Sequence, residues 1–430
     1  MDQIDNEYSR GVPPARLRDN RAFVRLWIGE TVSVFGSRMG SVALSFAAVI
    51  ALGATPMQMG LLAAVRIAPA LAVSLFAGVW VDRLARRPIL IGADIARALL
   101  LGTIPLAAYA ATLRIEHLYA VMFVVAMLDV AFDVAYRSYL PTLVVREQLI
   151  DANSKLTASS AVAEVAGFGL AGWLVQWLSA PFAILIDALT FVFSAGAIAT
   201  IHVEESNAGP RRQRDGVMRE ILSGARAVAA DPRLRAIAVT NATVTFALGT
   251  FGAVYMLYVV NSLGLAPGVL GVIFGVGGAS ALLGALAAGR VTGWLGVGGS
   301  MILSVVIEGI AMMLIPIASG AGLFAVTLLV AHQLLGDSAG TIYEINAVSL
   351  AQSIAQERML GRVNATLRFL AQAAALLGAL AGGAIGEFAG LRAALIVGAV
   401  AIGAAALWLA ASPLVRSTAA TAVAPKVEST

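Results

Sequence analysis

Residues 146–153 read Arg146-Glu147-Gln148-Leu149-Ile150-Asp151-Ala152-Asn153, and residues 356–364 read Gln356-Glu357-Arg358-Met359-Leu360-Gly361-Arg362-Val363-Asn364. The asparagines that close the two stretches, Asn153 and Asn364, stand 211 residues apart. The same displacement carries Pro56 to Pro267, Gly60 to Gly271 and Gly78 to Gly289. One spacing that holds in separate regions marks an internal duplication. The chain is one block written twice.

Both copies consist of long apolar runs. Hydrophobic residues make up 59% of the 430 and charged residues 13%, with mean hydropathy +0.87. Soluble domains carry roughly a quarter charged residues, so this composition excludes one. Runs near 23–50, 57–80, 88–112, 117–141, 156–178, 182–202, 234–260, 269–292, 299–318, 321–345, 363–386 and 392–411 are each long enough to cross a bilayer. Unpaired backbone is not tolerated against lipid, so each run is predicted to be a helix. The expected fold class is all-α integral membrane, with twelve transmembrane helices as two pseudo-repeated six-helix bundles. A duplicated helix block of this kind is the architecture of one large class of secondary transporters.

The bundles are placed at 23–202 and 234–412. Residues 1–22 read as a polar lead-in; acids, prolines and arginines replace any apolar stretch, so the first span is expected to act as its own insertion signal. The connection at 203–233 is the longest polar interruption. Within it Val217, Ile221, Leu222, Ala225 and Val228 fall at helical spacing, which predicts a short amphipathic helix on the membrane surface. The tail at 413–430, rich in Ala, Thr, Ser and Val, is expected to be disordered. Glycine clusters such as Gly271, Gly275, Gly277, Gly278 and Gly284 predict close approach of helix backbones.

Several chemistries are excluded at once. With no cysteine there is no disulfide, thiolate metal site or cysteine nucleophile. His117, His202 and His332 lack metal-ligand spacing. The only lysines are Lys155 and Lys426, and neither follows a phosphate-binding glycine loop. No cofactor, metal or enzyme activity is expected.

The net charge of +4 is a topology signal and not a nucleic-acid footprint. Arg10, Arg16, Arg18 and Arg21 precede the first span, Arg83, Arg86 and Arg87 follow the second, and Arg146 and Lys155 follow the fourth. The middle connection holds Arg211, Arg212, Arg214, Arg219 and Arg226, whereas the alternate loops hold little beyond Arg114 and Arg392. This positive-inside pattern puts both termini in the cytoplasm. Abundant Ala, Gly and Arg with two lysines points to a GC-rich bacterial genome, hence a multi-pass protein of the bacterial cytoplasmic (inner) membrane. The expected partners are a small-molecule substrate, protons and the lipid bilayer, with no nucleic acid, and the chain is expected to be a monomer.

Charges inside the spans carry the functional signal, because a charge at membrane depth is costly and faces a cavity or a partner. Asp129, Asp133 and Arg137 are spaced by four, so successive members are rotated by about 40° and share one helix face. Asp133 maps onto Glu344 and Ser138 onto Ser349 by the 211-residue displacement. Two carboxylates in equivalent helices would flank one central cavity, and Asp129, Asp133, Glu344 and Glu30 are the proton-coupling candidates. The alternative for Asp133 is a static pair with Arg137. Glu30 and Arg38 interrupt the first span, and Arg66 in the second would neutralise Glu30 or attract an anionic substrate. Asp94 and Arg97 are expected to pair with each other. Glu164, Asp187, Glu308 and Asp337 complete a charged interior in which about half are expected to be structural pairs. Arg38, Arg66, Phe35, Tyr136, Phe246, Tyr255 and Met256 are the candidates to line a substrate cavity.

The connection Gly78-Val79-Trp80-Val81-Asp82-Arg83-Leu84-Ala85-Arg86-Arg87 resembles the signature between helices two and three of the major facilitator superfamily, with Ala85 in place of its second glycine. The resemblance implies a conformational latch of Gly78, Asp82, Arg83, Arg86 and Arg87; the matching position in the second copy, Gly293, has lost the acid. Asp133-Val134-Ala135-Tyr136-Arg137-Ser138-Tyr139-Leu140-Pro141, the stretch from Glu147 to Lys155, and Leu360-Gly361-Arg362-Val363-Asn364-Ala365-Thr366 are similar to a bacterial subfamily of enterobactin exporters and transmembrane secretion effectors. That likeness spans about residues 21–412. It implies export of a small organic molecule, a drug-like compound or a siderophore, by proton antiport with alternating access. One departure stands out: Phe168 occupies the position where proton-driven drug exporters often carry a proline in helix five. A nutrient importer or uniporter of the same fold is the near alternative, separated by transport direction. A membrane sensor or integral membrane enzyme is the distant one, and it lacks a soluble domain or a nucleophile constellation here.

Overall fold

The computed structural model describes residues 17–73, 85–203 and 217–413. The helices are α1 (Arg21–Phe46), α2 (Pro56–Val73), α3 (Arg86–Tyr109), α4 (Ile115–Leu143), α5 (Leu149–Leu178) and α6 (Ala180–Ala199) in the first half. The linker forms α7 (Val217–Ala230). The second half holds α8 (Pro232–Leu257), α9 (Pro267–Ile317), α10 (Leu323–Ile354), α11 (Leu360–Phe388) and α12 (Leu391–Ala411).

The duplication read from a handful of residues governs the backbone itself. Helices α1 and α8 start and stop at positions displaced by 211, and each runs on into a π-helical turn, Ala47–Ala51 and Tyr258–Ser262. Their first turns are capped at the same register. Asn20 Oδ1 accepts from Phe23 N at 3.1 Å, and Asp231 Oδ1 accepts from Arg233 N at 2.8 Å. A side-chain oxygen here satisfies an amide that has no intrahelical partner. Burial pushes the Asp231 carboxyl up, but hydrogen bonds from the Arg233 side chain and two backbone amides outweigh it and hold the group below its ordinary value. The turns match too: Gly53 and Gly264 are left-handed at φ 60° and 65°, and Ser179 and Gly390 at 91° and 95°.

One element departs from the expected spans. Helix α9 runs for 51 residues, which at ~1.5 Å per residue is more than twice the ~30 Å hydrocarbon thickness. Gly296 breaks it with φ 70° and ψ 170°, so α9 makes two crossings joined by one non-helical residue. These are the two spans expected at 269–292 and 299–318. Among the described residues, with α9 counted twice, the shorter apolar α2 included and α7 left out, twelve crossings result, six in each half.

Helices α5 and α10 extend past their expected spans, to Leu149 and Ile354. The polar turn Asp151–Lys155 stays helical after it has left the apolar layer. The linker helix α7 touches the start of α11: Val228 is buried, and Arg362 donates to Ser223 Oγ at 3.3 Å, whereas Leu222 is exposed.

Candidate functional site

A cavity of about 420 Å³ lies between the halves. Helices α1 and α2 line it with Leu44, Met59, Leu62, Arg66 and Ile67, α8 with Thr245 and Leu248, and α11 with Ala375 and Ala379. Arg66 is its one charged lining residue among the described residues. Among the described residues that guanidinium makes no hydrogen bond or ion pair. On its other side Arg66 borders a pocket of about 50 Å³ inside the first half, shared with Asp129 and Asp187.

Close packing shuts one end of the inter-half space, and it does so twice. A Cβ on Gly383 of α11 would stand 2.9 Å from Pro56 O and 3.0 Å from Gly60 Cα at the start of α2. In the other copy, a Cβ on Gly172 of α5 would stand 2.6 Å from Gly271 N and 2.8 Å from its Cα, near the start of α9. Only glycine lets the backbones meet this closely. Two caps cross the same interface: Met57 N donates to Glu387 Oε2 at 3.1 Å, and Gly268 N donates to Gln176 Oε1 at 2.8 Å. Gly60 and Gly271, Gly172 and Gly383, Met57 and Gly268, and Gln176 and Glu387 are all related by 211 residues. These contacts sit at the end carrying the turns at Gly53 and Gly264, opposite the end where α1 and α8 begin.

In the first half, Arg97 organises the buried charge. The expected pair with Asp94 forms, at 2.5 Å, and a second bond reaches Asp129 Oδ1 at 2.9 Å. The guanidinium is 7% exposed and lies between the rings of Phe132 and Phe191, 4.3 and 4.4 Å from their centroids. Such stacking suits the planar, weakly hydrated arginine head group. Asp129, a proton-coupling candidate, is therefore the outer end of an Asp94–Arg97–Asp129 triad. Asp187 of α6 is buried, and its Oδ1 has no hydrogen-bond partner among the described residues. Gly36 and Gly40 of α1 leave room for it; a Cβ on Gly36 would lie 2.9 Å from Asp187 Oδ1.

The remaining candidates fall in several places. Asp133 pairs with Arg137 one turn along α4, at 3.0 Å and on an exposed face. Its counterpart Glu344 is exposed on α10 and makes no ion pair among the described residues. Glu30 Oε2 is buried without a hydrogen-bond partner among the described residues, close enough to Arg97 and Asp94 to feel their charge. Arg38 meets Glu164 of α5 at 3.7 Å and lies 5.9 Å from the centre of the Phe168 ring. Of the seven cavity candidates, Arg66 alone borders the inter-half cavity. Phe35, half-buried on α1, sets its carbonyl against α5 at Gly167; Tyr136 stacks on Phe132; Phe246 sets its backbone against Gly378; and Met256 is buried in the core. Of the latch, Gly78, Asp82 and Arg83 lie outside the described residues. Arg87 donates to the carbonyls of Ile198 and Ala199 at 3.3 and 2.6 Å, and so ties the start of α3 to the end of α6.

Sequence reading underrated the second half. Tyr255, expected in a cavity wall, belongs to an aromatic chain that crosses between the halves. Ring centroids run from Phe168 to Phe274 at 6.3 Å, Phe274 to Tyr255 at 5.9 Å, Tyr255 to Phe251 at 4.4 Å and Phe251 to His332 at 5.8 Å. Phe168 anchors this chain from the position where a proline was expected. Beside it Glu308 is buried, and its Oε2 has no hydrogen-bond partner among the described residues. The available signal was the repeat: Glu308 occupies the position of Arg97.

Twelve crossings in two halves of one design, with a cavity between them, describe a duplicated transporter-like bundle. The family model for the Major Facilitator Superfamily matches residues 26–367. The chain belongs to the Major Facilitator Superfamily. It is 28% identical over 251 residues to the uncharacterized MFS-type transporter y4rN of Sinorhizobium fredii, a match covering 58% of this chain and 60% of that protein. It is 27% identical over 333 residues to the multidrug efflux pump Tap of Mycolicibacterium fortuitum, covering 76% of this chain and 80% of the pump. Among solved structures, a mutant of the nucleoside transporter NupG superposes with a TM-score of 0.76 at 12% identity, covering 91% of this chain and 99% of that one. The protein is thus a multi-pass membrane transporter of the superfamily.

Proposed function

We propose that this transporter exports a small organic molecule, drug-like or siderophore-like, by alternating access and in exchange for protons. The observation that carries the reading is the doubled glycine closure at one end of the inter-half space, with the apolar, Arg66-bearing cavity beside it. A gate made of equivalent contacts opens when the halves, 23–202 and 234–412, rock as bodies about their pseudo-symmetry axis. The basic loops set both termini in the cytoplasm of a bacterial inner membrane, which makes the closed end the outer one. The chain then stands with its cavity facing inward, ready to load cargo from the cytoplasm. A single chain supplies both halves, so the working unit is a monomer. The stretch from Gly78 to Arg87 serves as the latch, and Asp129 and Asp187, which share the smaller pocket behind Arg66, exchange the proton. Efflux is favoured over uptake by the likeness to the pump Tap and by the resemblance to enterobactin exporters.

The test is transport of fluorescent cationic and anionic compounds into everted vesicles, with and without an imposed pH gradient. Gradient-driven accumulation that is lost in Asp129→Asn or Asp187→Asn is the expected result. Accumulation indifferent to the gradient removes the antiport mechanism, and net movement in the opposite sense makes the chain an importer.

A further inference from the structure

The two halves neutralise their buried acids differently. In the first half Arg97, fixed between Asp94 and Asp129, is a resident cation. Position 308 is its repeat equivalent and carries a glutamate instead. Glu308 is 7% exposed and its Oε2 finds no hydrogen-bond partner among the described residues. Gly340, which stands where Asp129 does, leaves space beside it: a Cβ there would lie 3.8 Å from Glu308 Oε1. Asp337, one turn before Gly340 on α10, is the next acid within electrostatic reach. Its carboxylate makes no ion pair or hydrogen bond among the described residues.

Two further polar groups converge on Asp337. The Gln333 Nε2 and Asp337 Oδ2 atoms both press on Gly277 of α9, where a Cβ would overlap them. Gln333 is buried and makes no side-chain hydrogen bond among the described residues. Tyr255 comes from a different helix, α8; it is 4% exposed, its hydroxyl lacks a hydrogen-bond partner among the described residues, and it lies close enough to feel the charge of Asp337. The other polar neighbours supply no positive charge. Glu164 lies within electrostatic reach of Asp337 but is engaged with Arg38. His332 Nδ1 is 3.1 Å from Ala311 O, and the Tyr343 hydroxyl donates to Asn241 at 2.6 Å.

We propose that Glu308, Asp337, Gln333 and Tyr255 form an exchangeable site for one monovalent cation, a proton or a sodium ion, in the second half of the transporter. Buried carboxylates need a counter-charge, and among the described residues this half places no resident one at the site. Carboxylate and phenol oxygens suit a small hard ion, which prefers oxygen ligands, and a flip of the Gln333 amide would add its oxygen. Its role as the coupling ion rests on the transport reading above; its capacity to bind a cation does not.

The test uses purified full-length protein in sodium-free detergent solution. Sodium chloride is titrated against choline chloride while thermal unfolding is followed, and proton uptake on acidification is read with a pH indicator. A sodium-specific rise in melting temperature identifies sodium as the ion. Proton uptake without a sodium effect identifies the proton. In either case Glu308→Gln and Asp337→Asn should abolish the sodium shift or take up about one proton fewer per protein. Tyr255→Phe keeps the volume and both acids, and should weaken the same response if the acid variants are unstable. Unchanged sodium and proton responses in folded Glu308→Gln, Asp337→Asn and Tyr255→Phe overturn the site. Cation binding that persists in a protein moving no cargo in vesicles leaves the site standing and removes only the transport reading.

Discussion

The two halves share a backbone and disagree about charge. Caps, π-helical turns and left-handed turns recur at a constant displacement, from Asn20 and Asp231 to Ser179 and Gly390. The interiors do not recur. Arg97 becomes Glu308, Asp129 becomes Gly340, Asp187 becomes Gly398, and Arg66 becomes Gly277. The lesson is a division: backbone geometry and the close glycine contacts between the halves repeat, whereas the buried charge does not.

The sharpest way to break this comparison is at the Arg97 and Glu308 pair of positions. Arg97→Gln leaves Asp94 and Asp129 without their shared cation, and breaking a buried pair in this way costs about 3–5 kcal/mol. A large fall in melting temperature in detergent is expected. In sodium-free solution Glu308→Gln, at the equivalent position, removes an acid with no partner among the described residues and should leave the melting temperature unchanged or raised. Equal losses in both variants would show that the halves use their charges alike.

The gate offers a test of symmetry with an intermediate effect. Gly172→Leu and Gly383→Leu each force a side chain between backbones, and overpacking of this kind costs about 1–3 kcal/mol. Since the cost falls on the closed state, both variants should slow vesicle transport to a similar degree while still folding. A severe effect in one and none in the other would break the equivalence of the two closures.

The smallest expected effect separates the caps. Losing either one costs about 1 kcal/mol of helix stability. The Asp231 carboxyl is held below its ordinary value by its bonds to Arg233 and two amides, net of burial. Its contribution is therefore present above the unfolded-state value and is lost as pH falls through the folded one. Asn20 does not titrate. Asp231→Ala should destabilise at neutral pH and progressively less in acid, whereas Asn20→Ala should cost the same at both, as read by thermal unfolding.

Sequence alone carried the fold because membrane helices announce themselves by length and apolarity, and the duplication by its spacing. Pairs within one helix were equally legible: Asp94–Arg97 and Asp133–Arg137 follow from three- and four-residue spacing. Pairs between helices were not. Arg97–Asp129 and Arg38–Glu164 depend on how neighbouring helices are rotated and staggered, which hydropathy does not encode. The same limit hid the neighbours of Arg66, which faces Asp129 and Asp187 from a third helix. Hydropathy also marks where lipid ends and not where a helix ends, so α5 begins seven residues before its apolar run.

One residue in α9 has a mechanical consequence. Gly271, in the first limb, belongs to the gate, and Glu308, in the second, belongs to the proposed cation site; only Gly296 departs from helical geometry between them. A flexible loop at that corner would absorb a tilt of one limb before the other felt it. A one-residue elbow leaves no slack, so the two limbs act as a crank: a tilt of the limb that holds Gly271 is carried to the limb that holds Glu308, and the reverse.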